Sequence, residues 1–142
     1  MIVFDANLLI YAYDSGWSRH VEARAWVEGT FSGVEPIGLP WQAICAFLRL
    51  MTNRRLPGSR LSLAQGVEIV DGWMAQPNVR VLVPGEQHWP VLRRMVVEGQ
   101  ASGSIDRAAE IAALTMEYGG VLYTADRDFA RFPGLRWKNP LE

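Results

Sequence analysis

MIVFDANLLIYAYD, residues 1–14, and VLYTAD, residues 121–126, are the two stretches that decide the fold. Each is a short apolar run of strand type that leads into an aspartate, Asp5 in the first and Asp126 in the second. Strand and helix patterns alternate along the chain, which predicts parallel strands joined by crossover helices. Because the carboxyl ends of parallel strands meet at one edge of a sheet, we expect Asp5 and Asp126 to converge there.

The remaining elements follow from hydrophobic periodicity. Pro40 suits the first position of a helix, Ser62 suits an N-cap, and Gly119 with Gly120 ends the last helix. The residues alone therefore predict an α/β fold with a mainly parallel sheet and helices on both faces. Strands are predicted at residues 1–4, 36–39, 79–83 and 121–124, and helices at residues 6–13, 19–31, 41–51, 61–74, 86–98 and 105–118.

Composition limits the class of protein. A chain of 142 residues, 49% apolar and 20% charged, suits one globular domain. Cys45 is the only cysteine, which fits a reducing compartment, and its apolar helix predicts a buried side chain. No basic leader and no apolar run of about 20 residues is present, so we expect a cytoplasmic protein without a membrane anchor. The formal net charge of -1 neither supports nor excludes a nucleic-acid partner.

Further carboxylates could join Asp5 and Asp126. Asp128 lies two residues beyond Asp126, and Asp106 and Glu110 share a face at the start of a predicted helix. Converging carboxylates raise one another's pKa values and need a cation or a proton to coexist, and Mg²⁺ with its oxygen ligands is a suitable cation. Each acid also has a purely structural interpretation. Asp5 and Asp106 can cap helices, Glu110 can sit in a first turn, and Asp128 can cap a turn or be solvated.

Other kinds of site lack their residues. His20 and His88 are the only histidines, so a histidine-assisted nucleophile and a zinc site of Cys/His type are poorly supported. No phosphate-binding loop or dinucleotide fingerprint occurs. An aspartyl phosphatase would need a second acid two residues after Asp5, where the chain has Asn7.

The sequence resembles PIN-domain toxins of the VapC type in four segments. MIVFDANLLIYAYD resembles the start of these toxins, and three further segments follow in the family's order: GLPWQAICAFLRLMTNRR (38–55), QPNVRVLVPGEQHW (76–89) and TADRDFARFPGLRWKNPL (124–141). The resemblance implies one PIN domain over residues 1–142, with a three-layer α/β/α architecture. It also implies the toxin of a type II toxin–antitoxin pair: a homodimeric endoribonuclease that uses Mg²⁺ or Mn²⁺, cleaves structured RNA such as tRNA or rRNA, and binds a VapB-type antitoxin.

The resemblance also assigns site residues. Asp5 and Asp126 match the family's first and last acids, Asp128 matches an accessory acid, and Asn7 and Thr124 match supporting polar positions. Two family acids are replaced, by Ala46 and Ala108.

Asp106 and Glu110 flank Ala108 by two residues on either side, and a helix turns about 200° over two residues. We expect the metal to bind Asp5 and Asp126, with Asp106 or Glu110 assisting. Together with Asp128, the expected catalytic set is Asp5, Asp106, Asp126 and Asp128.

Two questions stay open at this level. The cations expected to hold the RNA backbone could equally form a solvated face; they are Arg49, Arg54, Arg55 and Arg127. The substitutions at Ala46 and Ala108 also permit a catalytically degenerate PIN domain that binds an antitoxin or RNA without cutting.

Overall fold

The structure is a computed structural model that describes residues 1–58, 60–99 and 105–142, with side chains from residue 107 onward in the last range. Its strands are β1 (Ile2–Phe4), β2 (Ile37–Pro40), β3 (Val79–Leu82), β4 (Val121–Tyr123) and β5 (Trp137–Lys138). Its α-helices are α1 (Ala6–Tyr13), α2 (His20–Phe31), α3 (Trp41–Met51), α4 (Leu63–Met74), α5 (His88–Glu98) and α6 (Ile105–Glu117), and a 3₁₀ helix spans Arg127–Arg131.

The five strands form one parallel sheet in the order β3-β2-β1-β4-β5. The chain steps outward from β1 to β3, then returns past β1 to form β4 and β5. Because crossovers between parallel strands are right-handed, this reversal places the later helices on the opposite face from the earlier ones. The strand order therefore reverses between β1 and β4, and the carboxyl ends of these strands flank a crevice.

Two hydrophobic clusters cover the two faces of the sheet. Helices α1 to α4 pack on one face around Leu8, Phe47 and Trp73, and α5 and α6 pack on the other around Met95 and Ala112. Alternate residues of a strand serve opposite faces, as the division of Val3 and Phe4 between the two clusters shows. The predicted three-layer α/β/α fold with a parallel central sheet is confirmed. Among the described residues, no helix has the length and apolarity that a bilayer crossing requires.

Local signals account for the ends of the helices. The bounds predicted for α1 and α3 are those observed, and α3 begins directly after Pro40. Ser62 caps α4 in a capping box with Gln65, whose side chain in turn accepts from the Ser62 N–H. Gly119 follows α6 with a φ of 63°, a conformation that glycine adopts without strain.

The prediction that Cys45 is buried is wrong, because its side chain is exposed. The apolar composition of α3 led to this prediction, although the spacing of its residues defines one buried side. The buried stripe is Ala43, Ile44, Phe47 and Met51. Cys45 falls outside this stripe, on an exposed ridge with Trp41 and Arg49, the residues one turn before and one turn after it.

Candidate active site

Strand register brings the first and last acidic segments together. Phe4 of β1 pairs with Tyr123 of β4, and the Asp5 N–H donates to the Tyr123 carbonyl oxygen at 3.1 Å. The residues that follow these partners, Asp5 and Thr124, therefore lie side by side at the carboxyl edge of the sheet. This is the crevice at which the strand order reverses, the usual position of ligand sites in open α/β sheets.

The hydroxyl of Thr124 holds this edge together. It is fully buried, and it donates to Asp5 Oδ2 at 2.7 Å. It accepts from Asn7 Nδ2 at 3.2 Å and from the Asp126 N–H at 3.0 Å. One donor and two acceptor positions are all that a hydroxyl has, so its hydrogen-bonding capacity is filled. Asn7 adds a weaker link by accepting from the Ala125 N–H at 3.4 Å.

The capping interpretation of Asp5 and Asp126 describes only part of what they do. Asp5 Oδ1 accepts from the Ala6 N–H at 2.7 Å at the start of α1, and Asp126 Oδ1 accepts from the Asp128 N–H at 2.9 Å at the start of the 3₁₀ helix. Both carboxylates nevertheless line the same cavity. The caps therefore orient these carboxylates at the cavity wall.

That cavity has a volume of about 430 Å³ and combines an acidic wall with an apolar one. Three carboxylates face it, from Asp5, Asp126 and Asp128, and two guanidinium groups, from Arg107 and Arg131. The substituted positions Ala46 and Ala108 both line it, so both departures from the family pattern fall in this cavity. The other lining residues are Ala6, Gln42, Ile111 and Phe129.

Burial raises the pKa of Asp5. Desolvation is the main cause that raises its pKa, and the charge of Asp126 raises it further. The hydrogen bonds from Thr124 and Ala6 act in the opposite direction without reversing the shift. The pKa of the Tyr11 phenol is raised as well. Burial is the main cause, and the charges of Asp5 and Asp126 add to it. An additional cation would relieve this excess of negative charge.

The remaining predicted acids are placed differently. Asp128 has a side chain that is 79% exposed, and only a loose contact of 3.8 Å joins it to Arg131. Glu110 lines a neighbouring cavity and accepts from Gln42 Nε2 at 3.0 Å. Asp106 is in the first turn of α6, but its side chain lies outside the described part of the structure. Among the described residues, no three His, Cys, Asp or Glu side chains cluster closely enough to hold a metal ion.

The predicted RNA-binding arginines do not form one group. Arg49 lines the neighbouring cavity together with Glu110. Arg54 and Arg55 are exposed beyond the end of α3, and neither lines the acidic cavity. Arg127 is paired with Glu142 at 2.6 Å at the surface.

The cations that do line the acidic cavity, Arg107 and Arg131, were missed from the sequence. The guanidinium of Arg131 lies 4.8 Å from the centre of the Phe132 ring, and its buried Nε has no hydrogen-bond partner in the described structure. Gln42 was also missed, although it precedes Ala46 by one turn of α3 and lines the acidic cavity with it. That helical spacing was the signal that could have found it.

Comparison with known proteins identifies the family of this chain. The model of the PIN domain matches residues 2–135. The chain belongs to the PIN-domain family. Within it, the chain is a VapC-type PIN protein: it is 35% identical to Ribonuclease VapC33 of Mycobacterium tuberculosis H37Rv over 141 residues, 99% of each chain. It is also 35% identical to Ribonuclease VapC43 of the same strain, over 100% of this chain and 97% of that one.

Solved structures of PIN proteins share the fold at lower identity. VapBC2 from Rickettsia felis, bound to a DNA fragment from its promoter, matches with a TM-score of 0.71 at 15% identity, covering 98% of both chains. Mycobacterium tuberculosis VapC20, described as a sarcin-ricin loop cleaving toxin, matches with a TM-score of 0.67 at 18% identity over 96% of this chain and 99% of that one. At these identities the likeness concerns the PIN fold alone.

Removing the Thr124 hydroxyl is expected to destabilise the PIN domain. Thr124→Val keeps the shape but leaves Asn7, Asp5 and the Asp126 N–H without their shared partner, which costs about 1–3 kcal/mol of unfolding free energy. Urea unfolding measures the loss. Thr124→Ser retains the hydroxyl and should lose less. A valine variant as stable as the wild type would contradict the role given to this hydrogen-bond network.

The raised pKa of Asp5 predicts a pH-dependent stability in metal-free protein. Above about pH 4 the unfolded chain ionises Asp5 before the folded chain does, so Asp5 destabilises the fold increasingly until the folded group also ionises. The melting temperature of Asp5→Asn relative to wild type should therefore rise from pH 4 and then level off. Each kcal/mol corresponds to roughly 4 °C in a chain of this size. Thermal unfolding in EDTA tests this, and a difference that stays constant with pH would contradict it.

Proposed function

We propose that this PIN protein is the toxin of a type II toxin–antitoxin pair and acts as a metal-dependent endoribonuclease. The observation that carries the proposal is the convergence of Asp5 and Asp126, linked through Thr124 where the strand order reverses. Its full-length relatives VapC33 and VapC43, which bear the name ribonuclease, support the reaction class.

The cavity would suit one or two Mg²⁺ or Mn²⁺ ions. Mg²⁺ commonly binds through one or two carboxylates and completes its coordination with water and substrate phosphate. Asp5 and Asp126 would provide the carboxylates. Burial and the charge of Asp126 raise the pKa of Asp5, and a bound cation would favour its ionised form. Gln42 Oε1, a buried oxygen without a hydrogen-bond partner in the described structure, is a further neutral donor beside this cavity. When bound, the metal would activate water and polarise a phosphoryl oxygen.

The chain's own residues would orient the reacting groups. Asp5 and Asp126 hold the carboxylate oxygens in fixed directions, because their caps and the Thr124 hydroxyl restrict them. Arg131 and Arg107 place positive charge where a phosphodiester would lie, and Arg131 has a donor still to satisfy. Water would form the new bond to phosphorus as the bond to the leaving ribose oxygen breaks, and a proton would pass to that oxygen. Asp128, at the exposed rim, is in a position to accept a proton from the attacking water.

The proposal also covers the substrate, the partner and the oligomeric state. We expect structured RNA, either tRNA or rRNA, as substrate, a VapB-type antitoxin as partner, and a cytoplasmic homodimer as the working form. The dimer would use the exposed apolar face of α5, on which Trp89, Val96 and Val97 are 66%, 39% and 60% exposed. Glu110 would add a further carboxylate only after a rearrangement of α6, since it faces the neighbouring cavity. Asp106 is the other residue that we expect to assist.

A second candidate function has its own supporting observation. Ala46 and Ala108 leave the cavity without two of the family's acids, and among the described residues the further carboxylate that lines it is that of the largely exposed Asp128. The protein could therefore bind RNA or an antitoxin without cutting. Cleavage of a mixed tRNA and rRNA pool by folded, antitoxin-free protein separates the two. Discrete cuts that need Mg²⁺ or Mn²⁺ and stop in EDTA support the nuclease; uncut RNA with both metals supports the binding module.

A further inference from the structure

A second cavity adjoins the acidic one and differs from it in chemistry. It has a volume of about 480 Å³ and lies between the exposed ridge of α3 and the start of α6. We call it the Trp41 trough; its lining residues are Trp41, Gln42, Cys45, Arg49, Arg107 and Glu110. Gln42 and Arg107 line both cavities, so the two are neighbouring parts of one surface.

The trough has the two features by which proteins hold single-stranded nucleic acid. Trp41 is 49% exposed, so one face of a large aromatic ring is available for a base to stack on. Arg49 and Arg107 add two positive charges against the single carboxylate of Glu110, whose oxygen is engaged by Gln42. The structure pairs neither arginine with a carboxylate among the residues that it describes. The charge of the trough is therefore opposite to that of the acidic cavity beside it.

Topology explains why the start of α3 lies beside the acidic edge of the sheet. Trp41 follows Pro40, the last residue of β2, and β2 is the neighbour of β1 on the side away from β4. Trp41 therefore stands at the same carboxyl edge as Asp5, one strand along. Neighbouring strands lie about 4.8 Å apart, which is within the reach of one nucleotide step.

We propose that the Trp41 trough is a subsite for single-stranded RNA that flanks the phosphodiester held in the acidic cavity. A base stacks on Trp41, and Arg49 and Arg107 contact the phosphates on either side of it. Continuity with the acidic cavity and the net positive charge favour RNA over a protein segment as the occupant. This inference rests on the proposed endoribonuclease function, because only an RNA substrate would run through both cavities.

Cys45 provides a direct probe of the trough. It is the only cysteine of the chain, it is exposed, and it lies one helical turn from Trp41. The rate at which a thiol reagent alkylates Cys45 therefore reports whether anything covers the trough. The assay uses full-length Asp5→Asn protein in EDTA, so that RNA stays intact, and a mixed-sequence single-stranded RNA of roughly eight nucleotides as the ligand.

We expect this RNA to slow the alkylation of Cys45 in a saturable way. Adding Trp41→Ala should raise the dissociation constant about 5- to 100-fold, the range expected when stacking of one base is lost, whereas Trp41→Phe should stay within about threefold. Leu63→Ala is the control, because Leu63 is an exposed large apolar residue at the start of α4 that lines neither cavity. Arg107→Gln should weaken binding and reduce its dependence on salt.

Three results would overturn the proposal. Saturable RNA binding without protection of Cys45 would place the RNA elsewhere, and an equal loss of affinity in Trp41→Ala and Leu63→Ala would remove the specific role of Trp41. The third result comes from protein without RNA. If the alkylation of Cys45 slows when the protein concentration is raised about a hundredfold, a second copy of the chain covers the trough. None of these depends on cleavage: RNA cleavage by the wild type with an unprotected Cys45 would leave the nuclease intact and refute only the subsite.

Discussion

Asp5→Asn is expected to reduce metal-dependent RNA cleavage at least about a thousandfold while the protein remains folded. The substitution removes the charge that would hold the cation but keeps an oxygen that can accept from the Ala6 N–H, so the start of α1 should persist. Initial rates on a labelled RNA, at saturating Mg²⁺ or Mn²⁺, measure the loss. A melting curve at the same pH verifies the fold.

Asp71→Asn is the matched control for this experiment. Asp71 is an exposed aspartate on α4 and lies outside the acidic cavity, so its variant should cleave RNA at the wild-type rate. Asp126→Asn should resemble Asp5→Asn, because both carboxylates face the same space. If Asp5→Asn instead cut RNA as fast as the wild type, Asp5 would be no more than the cap of α1, and the proposed metal site would have to be abandoned.

Features that depend on one element could be predicted from the sequence. The bounds of α1 and α3, the Ser62 cap and the glycine end of α6 are set by residues within a few positions of each other. The convergence of Asp5 and Asp126 was predictable for a similar reason, since each acid follows its own strand and parallel strands share an edge.

Features that depend on how two elements pack could not be predicted in this way. Cys45 is exposed although α3 is rich in apolar residues, because it lies outside the one stripe of the helix that contacts the core. The Trp41 trough depends on the approach of α6 to α3, which brings Arg107 and Glu110 opposite Trp41. No pattern within either helix encodes that approach.

Helix geometry explains the arrangement around Ala108. Positions two residues apart on a helix point in widely different directions, about 200° apart, so position 108 and Glu110, which we expected to assist the metal, face different cavities. In the structure Ala108 lines the acidic cavity and Glu110 lines the Trp41 trough. Position 108 is therefore the place at which a carboxylate would complete the acidic cavity.

Ala108→Asp is accordingly expected to strengthen Mg²⁺ binding at least about tenfold and to raise the cleavage rate at limiting Mg²⁺ by a similar factor. Without metal the same change should destabilise the protein, because a further negative charge enters a cavity in which Asp5 and Asp126 already repel each other. Mg²⁺ should then stabilise Ala108→Asp more than the wild type, since the stabilisation by a ligand grows with the logarithm of the ratio of its concentration to the dissociation constant. Calorimetric titration and melting curves with and without Mg²⁺ measure both effects.

Ala108→Asn separates charge from shape in this last experiment. It has nearly the size of aspartate but no charge, so it should neither tighten Mg²⁺ binding nor increase cleavage. An inactive wild type together with an active Ala108→Asp would identify the natural protein as the degenerate binding module and Ala108 as the cause. An active wild type that Ala108→Asp does not improve would contradict the prediction, because it would mean that Asp5 and Asp126, with water and the substrate phosphate, already complete the coordination that catalysis requires.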